Sequence, residues 1–194
     1  MTISKSHPTQ HSRFHPSDHW VNSLKHEFDV LDSELEMSSR PPSFIHPACS
    51  HASRCRRCGW IQAHANSIVI AVDGACRGNG EANPRSAIGI YFGPDSVLNR
   101  SDAVPSEEVV ENLVRATGVG GGYAMYSQRD QQILDVEQVI IKSDSEYLVK
   151  GMTEWAGDES GNGVGGFGIE VLFWHLRRER NREADRLANA ALNG

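Results

Sequence analysis

Long apolar runs are missing from this chain. No stretch approaches the ~18 residues that a membrane-crossing helix needs, so no membrane partner is expected. The first thirty residues hold no apolar core of the signal-peptide kind, so secretion is not expected either. Cysteine is scarce, with four among 194 residues. Three fall within 49–58 and the fourth, Cys76, stands apart. That spacing does not make a disulfide framework, and it points to a reduced, intracellular protein, nuclear or cytoplasmic. Residues 1–17 contain no acid, which leaves an organelle address open. Positive charge is short as well. Nineteen Lys and Arg stand against twenty-five Asp and Glu, for a net charge of −6. This excludes binding to nucleic acid through overall charge, so any such contact has to be local.

What remains is ordinary for a folded protein. Apolar residues make up 39% of the chain, and the length allows one globular domain with an extension. Residues 1–45 are polar and rich in His and Ser, and are expected to lack a fixed fold. Residues 46–65 contain Cys49, Cys55 and Cys58 with His46 and His51 nearby. These are soft ligands at zinc-knuckle spacing. A structural Zn²⁺ is one expectation for this segment, and a basic linker with free thiols is the other.

From about residue 66 the pattern becomes that of a compact domain. Ile68-Val-Ile-Ala-Val72 reads as a central strand buried on both faces. Ile88-Gly-Ile-Tyr-Phe92 follows across a Gly/Asn/Pro turn, which predicts a hairpin. Val139-Ile-Ile141 and Ile169 to Trp174 read as further strands. Ser145 is placed to cap a helix carrying Leu148, Met152 and Trp155. Asn181 is placed to cap a last helix in which Ala184, Leu187, Ala188, Ala191 and Leu192 recur at helical spacing. Ten of the eighteen glycines crowd into Gly118–Gly122 and Gly157–Gly168, where no periodicity is visible.

Three islands carry the chemistry. They are Asp73-Gly-Ala-Cys-Arg-Gly-Asn-Gly80, Lys142-Ser-Asp-Ser-Glu-Tyr147, and Asn181-Arg-Glu-Ala-Asp-Arg-Leu-Ala188. Asp73 and Asp144 each follow a buried strand directly. If those strands are parallel neighbours, their carboxyl ends form the edge at which open α/β sheets bind ligands. Asp185 lies in the first turn of the last helix, where the dipole favours a carboxylate. Carboxylates brought together repel and call for a cation, and Mg²⁺ prefers such an all-oxygen setting.

Together the islands resemble type 1 ribonuclease H, over roughly 67–93, 138–155 and 169–193. The resemblance implies a ribonuclease-H-like three-layer α/β domain at 66–194 with a mixed central sheet, preceded by a disordered tail. It implies a monomeric endonuclease that cleaves the RNA strand of RNA–DNA hybrids with Mg²⁺ or Mn²⁺. Asp73, Asp144 and Asp185 become the metal ligands. Cys76, Gly78 and Asn79 become contacts to RNA 2′-hydroxyls, and Arg178 a contact to phosphate. Glu146 stands where the family usually has a Gln. The family's fourth carboxylate, a Glu in an Asn-x-x-Ala-Glu sequence, has no counterpart here. Glu107, Glu108 and Glu111 are the acids nearest its place. That departure motivates the alternative, an inactive module of the same fold that binds nucleic acid or a protein partner.

Overall fold

The computed structural model describes residues 12–15, 35–37, 44–47, 67–80, 82–104, 138–155 and 170–193. Among them are eight strands: β1 (Ser12–Arg13), β2 (Leu35–Met37), β3 (Ile45–Pro47), β4 (Ser67–Arg77), β5 (Arg85–Tyr91), β6 (Arg100–Val104), β7 (Gln138–Ser143) and β8 (Glu170–His175). Helix α1 (Glu146–Lys150) continues into a π-helical turn at Gly151–Trp155, and α2 (Arg182–Ala191) closes the described chain. No helix of the described residues is long and apolar enough to cross a membrane.

The strands make one mixed sheet. Strands β4, β7 and β8 run parallel, as do β8 and β1. The hairpin β4–β5 is antiparallel, and β6 extends it. Strand β4 is the longest, at eleven residues. It pairs with β7 along one edge, and β3 and β5 share the other. Packing on both faces of the sheet explains why residues 67–72 are buried throughout rather than in alternation.

Side chains still alternate between faces along each strand. Ile68, Ile70 and Val72 join Ile88, Ile90, Val139, Ile141, Val171 and Phe173 in one cluster, which Leu148 and Val149 of α1 complete. Val69, Ile140, Leu172 and Trp174 form the opposite face with Phe14 and Ile45. Helix α2 lies over that second face, against β4, β5 and β6. Helices on both sides of the sheet give the three expected layers.

The expectation that residues 1–45 lack a fixed fold needs correction at three places. Ser12–Arg13, Leu35–Met37 and Ile45 are strand residues. Phe14 and Phe44 are almost wholly buried. Burying a phenylalanine side chain contributes roughly 1.5–3 kcal/mol, enough to fix a short polar segment against an existing sheet. The rest of that tail lies outside the described residues.

Candidate active site

Strand register puts the first two aspartates side by side. Ala71 pairs with Lys142 in the parallel β4–β7 ladder, so Asp73 and Asp144 stand at the same level two residues further on. Neighbouring strands lie about 4.8 Å apart, which brings the two carboxylates together at the carboxyl edge of the sheet. Asp73 is in phase with Val69 and Ala71, on the face that α2 covers.

Helix α2 delivers the third aspartate. It can approach the sheet because Gly89 has no side chain. A Cβ there would collide with the Ala184 carbonyl and the Ala188 amide, and would meet the Leu187 Cβ at 3.0 Å. Ala184 and Ala188 are buried at this contact, and Ser101 Oγ donates to the Leu187 carbonyl at 2.6 Å. The Asp185 amide donates to the Asn181 carbonyl at 3.0 Å, closing the first turn. Asp185 therefore sits over the strand ends.

The three charges are felt at Asp73. Its carboxyl is pushed up to about 7, chiefly by burial and then by Asp144, with Asp185 adding to the repulsion. The Gly74 amide and the Arg178 guanidinium offset part of this. Arg178 Nη2 also lies 3.4 Å from Asp185 Oδ1. Glu183 pairs with Arg186 at 3.1 Å.

Asn181 departs from its expected role. It occupies the N-cap position of α2 but makes no side-chain capping bond. Its Nδ2 donates instead to the Val72 carbonyl and to Asp144 Oδ1, both at 2.9 Å. The side chain is buried, and its Oδ1 has no hydrogen-bond partner. One amide thus ties the middle of β4, the end of β7 and the start of α2 together. The sequence marks Asn181 as a helix start. Nothing local in the sequence shows that its side chain turns toward the sheet. Gly89 was more legible: a glycine inside an apolar strand signals close backbone approach, and two alanines four apart on the last helix match it.

The other site residues are placed as follows. Cys76 and Asn79 are exposed, just past Asp73. Gly78 and Gly80 have φ of 69° and 87°, the left-handed values that let the chain turn sharply there. Ser145 caps α1 as expected, accepting from the Leu148 amide at 3.2 Å. Glu146 forms an ion pair with Lys150 at 2.9 Å. That bond to Lys150 lowers its carboxyl pKa first of all. His46 is buried, with Nδ1 at 2.8 Å from the Ser67 carbonyl. Cys49, Cys55 and Cys58, the glutamates 107, 108 and 111, and both glycine-rich windows lie outside the described residues.

By donor chemistry the site fits a divalent cation. Its carboxylates are oxygen ligands, and one is driven toward protonation, first by burial and then by its acidic neighbours. Among the described residues no three His, Cys, Asp or Glu side chains close into a ready-made metal cluster. Two of the carboxylate oxygens are engaged by Asn181 and Arg178 instead.

No protein-family model matches the chain. It is similar to ribonuclease H1 of Homo sapiens, 25% identical over 162 residues, covering 83% of this chain and 53% of the relative. It is 28% identical to ribonuclease H1 of Mus musculus and 29% to that of Rattus norvegicus. Each match runs over 97 residues and covers 50% of this chain and 32% of the relative. The chain spans about half the length, or less, of these curated relatives. Among solved structures it is similar to LC11-RNase H1 isolated from compost by a metagenomic approach, with a TM-score of 0.44 and 23% identity. That match covers 66% of this chain and 96% of the other. A structure of LC11-RNase H1 in complex with an RNA/DNA hybrid gives a TM-score of 0.43 and 21% identity, covering 64% and 96%. With its three aspartate islands in order along a mixed sheet, this chain has a ribonuclease-H-like fold and is similar in sequence to type 1 ribonucleases H.

Proposed function

We propose that this chain is an endonuclease that hydrolyses the RNA strand of RNA–DNA hybrids with Mg²⁺ or Mn²⁺. The observation that carries the proposal is the convergence of Asp73, Asp144 and Asp185, felt in the raised Asp73 carboxyl. The relatives named ribonuclease H1 support the same reading. Asp73, Asp144 and Asp185 would hold the cation. Its chemistry when bound is to offset their repulsion, activate water and stabilise charge at the phosphodiester. Asn181 holds the Asp144 carboxylate in one orientation. The Gly78 turn presents Cys76 and Asn79 where a sugar 2′-hydroxyl distinguishes RNA from DNA. Arg178 supplies positive charge beside the acids for a phosphate.

A cleavage assay on a labelled hybrid, with Mg²⁺ or Mn²⁺ and hybrid binding measured in parallel, tests the proposal. Asp73→Asn should retain the fold and lose about 10³-fold in cleavage, the equivalent of roughly 4 kcal/mol of lost charge stabilisation. Unchanged cleavage in that variant overturns the assignment. A second reading rests on the oxygens already occupied by Asn181 and Arg178. Carboxylates satisfied by the chain's own donors suit a module that binds nucleic acid or a protein partner without cutting. Hybrid binding by the parent chain with no cleavage in either metal would favour it.

A further inference from the structure

A cavity of about 270 Å³ opens beside the start of α2, on the face of the sheet that this helix covers. Its lining takes in Lys142, Arg180, Asn181 and Arg182 but not Asp73, Asp144 or Asp185, so it is a neighbour of the carboxylate cluster rather than part of it. The volume lies just under the ~300–1,000 Å³ of drug-sized ligand sites, which suits a small molecule.

Two elements bring positive charge to the cavity. Lys142 is in phase with Ile140, so it shares the α2 face of the sheet. It is 5% exposed and has an interaction of its own, so what it adds to the cavity is charge. Arg180 and Arg182 flank Asn181 in the turn that leads into α2. Among the described residues neither guanidinium has a hydrogen bond or an ion pair. Two acids also line the cavity, Glu179 and Glu183. Glu183 is turned to Arg186, which stands outside the lining. The wall is therefore positive on balance, in a chain that carries −6 overall.

Two further features define the chemistry of an occupant. Helix α2 is ten residues long, and no side chain caps its N-terminus. The amides of its first turn have no intrahelical acceptor, and with the helix dipole they favour an anion. Asn181 is 1% exposed, and its Oδ1 has no partner. Both Nδ2 protons go to Val72 and Asp144, which leaves Oδ1 as the branch of the carboxamide still to be satisfied. Buried acceptors in native proteins are nearly always bonded, so this one calls for a donor. Ala71, Tyr91 and Pro94 add an apolar wall for a carbon skeleton.

We propose that this cavity is a binding site for a terminal phosphate group. Arg180, Arg182 and the α2 amides take the phosphate oxygens, and a hydroxyl of the ligand donates to Asn181 Oδ1. Inorganic phosphate and a nucleoside 5′-monophosphate both offer this chemistry. The site does not depend on the cleavage of hybrids.

The test is calorimetric titration of the full chain with inorganic phosphate, adenosine 5′-monophosphate and adenosine. EDTA is present throughout, so that no cation bridges a ligand to the aspartates. At least one of the two phosphates should bind saturably, one per chain, and adenosine about tenfold more weakly or not at all. A tighter monophosphate identifies a nucleotide as the source, and equal affinities identify free phosphate. Arg180→Gln/Arg182→Gln should weaken binding about tenfold or more, with the melting temperature of the ligand-free chain unchanged. Arg180→Lys/Arg182→Lys should restore most of the affinity. Arg77 and Arg85 face each other at the far end of the β4–β5 ladder. Arg77→Gln/Arg85→Gln removes the same charge there and should leave affinity at the parental level. A parent chain that binds neither phosphate overturns the proposal, as does parental affinity in Arg180→Gln/Arg182→Gln. An equal loss in Arg77→Gln/Arg85→Gln also overturns it, because overall charge and not the cavity would then hold the anion.

Discussion

The two faces of the sheet hold their helices in different ways. On one, α1 docks through Leu148 and Val149 into a broad cluster of Ile, Val and Phe side chains. On the other, α2 approaches through Ala184 and Ala188 against Gly89, nearly backbone to backbone. The first contact is made of large, deformable side chains. The second has almost none to give. The face that packs closely is the one that brings Asp185 over Asp73, so the placing of the carboxylate depends on the least adjustable contact in the fold.

That contrast can be broken from the α2 side. Gly89→Val should cost about 3 kcal/mol or more, because neither the Ala184 carbonyl nor the Ala188 amide can move aside. Chemical denaturation would read it, and a change below 1 kcal/mol would mean that α2 is not seated as described. Asn181→Ala removes two hydrogen bonds, one of them to a carboxylate. It should cost about 2 kcal/mol in the same measurement. A smaller expected effect lies in pH. The Asp73 carboxyl, ordinarily near 3.8, is raised to about 7 in the folded chain. The folded state then holds a proton that the unfolded state releases, so stability should fall as pH rises from about 4 to 7 and level off above. Allowing for solvent screening, the loss is about 1–2 kcal/mol. Thermal melts in EDTA should show this slope in the parent chain and not in Asp73→Asn. The α1 side offers the mildest test. Ser145→Ala deletes one cap and should cost about 1 kcal/mol, with hybrid cleavage changed little. A Ser145→Ala loss as large as that of Gly89→Val would erase the difference between the faces.

Much of this was legible in the sequence because the informative signals are local. Continuous apolar runs marked β4 and β7, and an Asp follows each run, but β4 continues past Asp73 to Arg77, so only Asp144 stands directly after its strand. Ser145 announced the start of α1. The short strands near the N-terminus gave no such signal. Ser12–Arg13 and Ile45–Pro47 are too brief for a period of two to show, and their strand state is imposed by the sheet they join. The direction of the Asn181 side chain was hidden for a related reason. An Asn before a helix ordinarily caps it, and only a carbonyl 109 residues away in sequence turns it elsewhere. The pairing of Arg178 with Asp185 rather than with a neighbouring Glu is also a matter of how the loop folds back.

The length of β4 has a kinetic consequence. Its second half pairs with β5 across a short turn, a contact of low sequence separation. Its first half must wait for β7, about seventy residues on, and the edge is not complete until Asn181 reaches Val72. Local contacts form ahead of distant ones, because loop closure must be met before distant pairing is rewarded. The β4–β5 hairpin is therefore expected early in folding, carrying Asp73 without either partner. The chain acquires its structure from the hairpin outward and its carboxylate site last.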